Sequence, residues 1–196
     1  MGNKSLHRIF ILLVFLFGMS VIMSCAQFTL INANKDIPVG RSIIVNSPVV
    51  WSKGITLGVE TWTIDGPNLQ RLMFFNGIPD GKPLFKVYTG KEQPLPVFKS
   101  TMNVLEIVEF IEASLKRTGS HNVTTKALRP ENFDNREGFR FELSFTTESG
   151  LNYNGIFKGA IHNHVLVAIM YVGTELYYFG KNLDDVEKII ASARIM

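Results

Sequence analysis

The sequence contains one cysteine, at position 25. That excludes an intramolecular disulfide and any zinc or iron–sulfur site built from several thiolates. Charge is sparse as well: 19% of residues are charged, 20 Lys and Arg against 17 Asp and Glu, with no basic stripe. Nucleic-acid binding needs such a stripe to neutralise phosphates, so that partner class is excluded. No G-x-S-x-G elbow, P-loop or dinucleotide fingerprint occurs, and nothing in the pattern implies a cofactor. Ser144 and Ser149 stand without a nearby His–Asp pattern to activate them. Internal repeats and low-complexity tracts are missing too.

What the chain has is apolar bulk. Of 196 residues 46% are hydrophobic, including 15 Phe and 5 Tyr, which suffices to close one core of ordinary size. The most apolar run, Ile9 to Ile22, follows Lys4, His7 and Arg8. As a helix it rises about 21 Å, short of the roughly 30 Å hydrocarbon core of a bilayer. A basic head, a short apolar middle and small residues at the exit describe a secretory signal.

Ile22-Met23-Ser24-Cys25 resembles the lipobox of bacterial lipoprotein signal peptides: an aliphatic residue, a variable one, a small one, then cysteine. The resemblance implies that residues 1–24 are a cleaved leader and that Cys25 becomes an acylated first residue. Membrane lipid is then a partner through Cys25, and each buried methylene contributes about 0.8 kcal/mol to anchoring. Ala26, in place of aspartate, implies the outer membrane, with the protein facing the periplasm. The competing reading is an uncleaved anchor helix with an incidental thiol. Leader removal takes Lys4 and Arg8 and no acid, leaving the mature chain close to neutral.

Residues 25–40, with Asn32, Asn34, Asp36 and Pro38, read as a lipidated tether, and residues 41–196 as a single α+β domain. Strands are expected over Ser42–Val45, Ile55–Ile64, Leu69–Phe75, Leu84–Tyr88, Phe139–Phe145, Leu151–Ile161 and Val165–Val172. The strict alternation of Phe139, Phe141, Leu143 and Phe145 marks a half-buried strand. The unbroken Val165–Val172 run marks a central one. Helices are expected over Thr101–Arg117, capped by Ser100 or Thr101, and over Leu183–Ala193, capped by Asn182. The order from Thr101 to Ile195 resembles the PsbP-like fold shared with DcrB-type envelope lipoproteins. The features that carry the likeness are Gly138-Phe139-Arg140-Phe141, the very apolar strand, Tyr177-Tyr178-Phe179 and the closing helix. The resemblance implies an antiparallel sheet flanked by helices and a role in binding or assembly.

Two clusters invite a functional reading. Glu60, Trp62 and Asp65 mark a candidate ligand pocket, since an acid beside an indole can have a raised pKa. The alternative is that Trp62 packs in the core while Glu60 pairs with Arg71 across a hairpin. His162 and His164 share a strand face if extended and then suit a metal, but they supply no third ligand. The competing reading has them flanking a hairpin turn at Asn163, with no metal. The expectation is therefore a membrane-anchored envelope lipoprotein whose domain binds a small ligand or an envelope protein without catalysis. The alternatives are an envelope hydrolase using acids such as Glu60 and Asp65, and a metal carrier.

Overall fold

The computed structural model describes residues 28–196; the leader, the lipobox and Cys25 lie outside them. The main sheet has eight strands: β1 (Thr29–Ile31), β4 (Trp51–Thr56), β5 (Val59–Thr63), β6 (Gln70–Pro79), β7 (His121–Pro130), β8 (Phe139–Thr146), β9 (Asn152–His162) and β10 (Val165–Thr174). All neighbours are antiparallel, in the spatial order β1-β4-β5-β6-β10-β9-β8-β7. A second sheet, ordered β11-β3-β2, is built from β2 (Asp36–Val39), β3 (Ile43–Asn46) and β11 (Arg194–Ile195). The helices are α1 (Val104–Arg117), the single turn α2 (Tyr178–Lys181) and α3 (Leu183–Ser192). The domain is α+β and dominated by antiparallel sheet.

Each face of the main sheet carries its own core. Side chains alternate along a strand, so β6 sends Met73 and Phe75 toward α1 and Leu72 and Phe74 toward α3 and the small sheet. β10 does the same with Leu166, Ala168 and Met170 on one side and Val167, Ile169 and Tyr171 on the other. It is buried on both faces, which is why its sequence is an unbroken apolar run. β9 can lie close beside it because Gly155 has no side chain: a Cβ there would sit 2.8 Å from the Tyr171 carbonyl oxygen.

Several boundaries differ from expectation, each for a local reason. Helix α1 begins three residues late. Asn103, not Ser100 or Thr101, caps it, with Asn103 Oδ1 accepting from the Glu106 amide at 3.1 Å and Glu106 Oε2 accepting from the Asn103 amide at 2.7 Å. Val104 and Leu105 consequently point to solvent, and the buried stripe is Ile107, Val108, Phe110, Ile111, Ser114 and Leu115. The run Ile55–Ile64 is two strands, not one. Leu57 and Gly58, at φ +53° and +72°, form the tight turn between β4 and β5, and positive φ at both central residues is what a type I′ two-residue hairpin requires. Leu84–Tyr88 is not a strand, although Leu84 and Phe85 are buried as loop side chains against α1. Residues 29–39 belong to the domain: β1 and β2 place Ile31 and Val39 in the core beneath α3.

β7 had no counterpart in the expected elements because it is an edge strand exposed along nearly its whole length, so no apolar alternation betrays it. Its ladder to β8 is interrupted twice, between His121 and Thr124 and between Lys126 and Arg129. Asn122 and Ala127, inside those gaps, have positive φ.

On the α3 face the Gln70 side chain is fully buried, and neither Oε1 nor Nε2 has a hydrogen-bond partner among the described residues. Its backbone carbonyl accepts from Thr63 Oγ1 at 2.7 Å, independently of the side chain. An unsatisfied buried amide costs about 1–3 kcal/mol. Gln70→Leu is therefore expected to raise the unfolding free energy by about 1 kcal/mol or more, read from urea denaturation with an unchanged m-value.

Candidate functional site

The structure brings Glu60 and Trp62 together on β5. Trp62 is fully buried against Phe74, ring centroids 4.6 Å apart, and its Nε1 donates to Glu60 Oε1 at 3.1 Å. Lys53 Nζ stands 3.3 Å from the same oxygen. The expected alternative, a Glu60–Arg71 pair, does not form: Arg71 shares the β6 face of Met73 and Phe75, whereas Glu60 shares the face of Trp62 and Phe74. Asp65 is elsewhere. Its carboxylate accepts from Lys181 Nζ at 2.6 Å and from Asn182 Nδ2 at 3.4 Å, tying the β5–β6 turn to the junction of α2 and α3. Asn182 spends its side chain on that contact, so α3 starts without the expected side-chain cap. A cavity of about 520 Å³ opens where β5 and β6 part, lined by Glu60, Asn76, Lys82 and Lys86 among others; Trp62 and Asp65 are not in its wall.

His162 ends β9 while His164 lies inside the two-residue β9–β10 turn, formed by Asn163 and His164 at φ of +48° and +61°, so the two do not share an extended strand face and do not flank the turn as expected. Arg136 Nη2 stands 3.5 Å from His162 Nε2. A guanidinium at that nitrogen opposes a second cation, and among the described residues no three His, Cys, Asp or Glu side chains gather as a metal ion would need.

The densest ionic cluster ties the sheet to α3. Lys158 on β9 is buried and stands 2.9 Å from Glu131 Oε1, with its ammonium 6.0 Å from the Phe133 ring centroid. Arg140 on β8 forms a two-pronged pair with Glu187 of α3, one arm at 2.8 Å, and reaches Glu131 at 3.7 Å. Burial opposes ionisation of Glu131, but Lys158, Arg140 and Arg129 outweigh it and hold the carboxyl below the usual carboxylate range. Every charge here has an opposite partner, so the cluster reads as a clamp on the fold.

Arg71 is different. It lies on β6 beneath the C-terminal end of α1, in the wall of a second cavity of about 520 Å³. Its Nη1 donates to the Pro67 carbonyl oxygen at 3.2 Å, and its guanidinium carbon sits 5.7 Å from the Tyr153 ring centroid. Tyr153 is fixed in turn, its hydroxyl donating to the Asn68 carbonyl oxygen. Arg71 Nε is enclosed and has no acceptor among the described residues. No carboxylate lies within 4 Å of the guanidinium among those residues, and residues 1–27 contain no Asp or Glu. Burial pushes the guanidinium pKa down, as expected of a cation without a counter-charge. Around it the cavity is lined by apolar side chains, including Met73, Phe85, Leu115 and Met170, and by the hydroxyls of Thr147 and Ser149 from the β8–β9 turn.

Sequence reasoning missed this site, though a signal was present: the alternation that faces Met73 and Phe75 into the core puts Arg71 in the same row. Among the described residues no helix is long and apolar enough to cross a membrane. No protein-family model matches the chain, and neither does any curated protein compared with it.

Proposed function

We propose that this chain is an envelope lipoprotein, acylated at Cys25 and held at the outer membrane, whose domain binds a small ligand without transforming it. The observation that carries the binding role is the Arg71 guanidinium, without a carboxylate partner among the described residues, in the wall of a cavity of mixed polar and apolar lining. Arg71 is half-buried with its Nε enclosed and unpartnered among the described residues, so part of its hydration is lost and an anion from outside is the group that would restore it. The acids expected to serve a hydrolase, Glu60 and Asp65, take separate structural partners and form no acid–base pair with each other. The anchoring role rests on Ile22-Met23-Ser24-Cys25. A PsbP-like sandwich is the finer description of the fold that we favour, supported by the antiparallel sheet with α1 on one face and α3 on the other.

One preparation tests both parts. The full chain, extracted from membranes of its native host and weighed intact, should begin at an acylated Cys25, and denaturing it should release a small molecule in near-stoichiometric amount. Cys25→Ala should move the protein to the soluble fraction. An unmodified thiol at position 25 overturns the anchor, and an empty domain that no small molecule stabilises overturns the binding role.

A further inference from the structure

Resting on that binding role, we infer that the Arg71 cavity takes a monoanionic carboxylate carrying an apolar chain. The charge argument comes first. Arg71 supplies one positive charge with no partner among the described residues. The other charged residue in the cavity wall is Glu148, exposed on the β8–β9 turn. One anion of charge −1 neutralises the guanidinium. A phosphate dianion would carry a surplus charge past Glu148 into a site with no second cation among the described residues, whereas a carboxylate would not.

Shape and polarity point the same way. A guanidinium offers planar pairs of N–H donors that match the two oxygens of a carboxylate. Four of the five donors on Arg71 have no protein acceptor among the described residues, since Nη1 makes the one bond, to the Pro67 carbonyl. The nearby Tyr153 ring and the Pro67 hydrogen bond restrict the guanidinium, so less side-chain freedom remains to be lost when an anion binds. Beyond the cation the accessible apolar wall is Leu57 and Leu151, with the core residues Met73, Phe85, Leu115, Phe145 and Met170 closing the floor behind them. A cation beside accessible leucine side chains suits an amphiphile with its acid group on Arg71.

The test uses the full chain in a neutral detergent, titrated separately with sodium octanoate, octanol and sodium phosphate and read by melting temperature and calorimetry. Octanoate should raise the melting temperature and bind at least about tenfold more tightly than octanol or phosphate, the loss expected for a missing charge-assisted hydrogen bond. Arg71→Met should weaken octanoate by at least about tenfold, while the ligand-free variant melts at or above the wild-type temperature, because a half-buried cation without a carboxylate partner has been removed. Arg71→Lys, which keeps the charge but not the planar pair of donors, should recover part of the affinity.

Equal octanoate affinity in wild type and Arg71→Met overturns the inference. So does a ligand-free Arg71→Met that melts several degrees lower, since the guanidinium would then be a structural brace. Tighter binding of phosphate than octanoate overturns the carboxylate assignment and leaves the binding role standing. Failure of all three probes to stabilise the protein removes both.

Discussion

Replacing Glu131 with alanine is expected to destabilise the domain by about 3–5 kcal/mol, the cost of leaving a buried charge without its partner. Lys158 is the reason. Its ammonium is buried on β9, and the only ion pair it makes among the described residues is with Glu131. Arg140 keeps Glu187 when Glu131 is lost, so the damage should centre on Lys158. Removing both members of the pair, as Glu131→Leu with Lys158→Met, should return most of the stability, because apolar groups of similar volume often replace a buried ion pair at little cost. Chemical denaturation of the two single variants and the double variant measures the coupling; a single Glu131→Ala variant within 1 kcal/mol of wild type would show that Lys158 is solvated after all.

The same pair sets a pH dependence. The Glu131 carboxyl is held below its ordinary value in the folded protein, so its contribution is fully present above the unfolded-state pKa near 4.5. It is lost as pH falls through the lower, folded value. Wild-type melting temperature should therefore decline with acidification below about pH 4.5, and Glu131→Gln should flatten that part of the profile.

Trp62→Ala is expected to cost a further large amount, about 3–5 kcal/mol, in line with truncation of fully buried aromatics. The indole is completely enclosed, packs on Phe74 and satisfies its own Nε1 through Glu60. Its loss opens a void and deprives Glu60 of a donor, although Lys53 remains beside the carboxylate. Trp62→Phe, which keeps most of the volume, should cost much less. A Trp62→Ala protein as stable as wild type would place the indole in a ligand site instead of the core.

How far the residues announced this architecture depends on how local the causes were. Strands β8 and β10 were legible because burial on one face or on both writes itself directly into alternation or into an unbroken apolar run. Helix α1 was legible from its stripe, but its start was not, because Ser100 and Asn103 are both competent caps. The choice between them is made in three dimensions, where Asp80 accepts from the Ser100 hydroxyl at 3.0 Å. The split of Ile55–Ile64 turned on a single glycine. β7 left no trace because it buries almost nothing. The candidate site shows the same division. Glu60 and Trp62 are neighbours on one strand face and were paired by periodicity alone. The solitude of Arg71 depends on which carboxylates fail to approach from Asn68, the β8–β9 turn and the end of α1, and no local pattern records an absence across such distances.

The broken ladder of β7 has a consequence beyond its own strand. An open sheet of eight strands ends in two rows of unpaired backbone groups, each a template on which another molecule can zip up. One end is blunted by length, since β1 has three residues. The other is blunted by its two kinks, which hold an approaching chain out of register, and by the charged side chains Lys126 and Arg129 along it. Copies of the domain would thus meet without joining edge to edge.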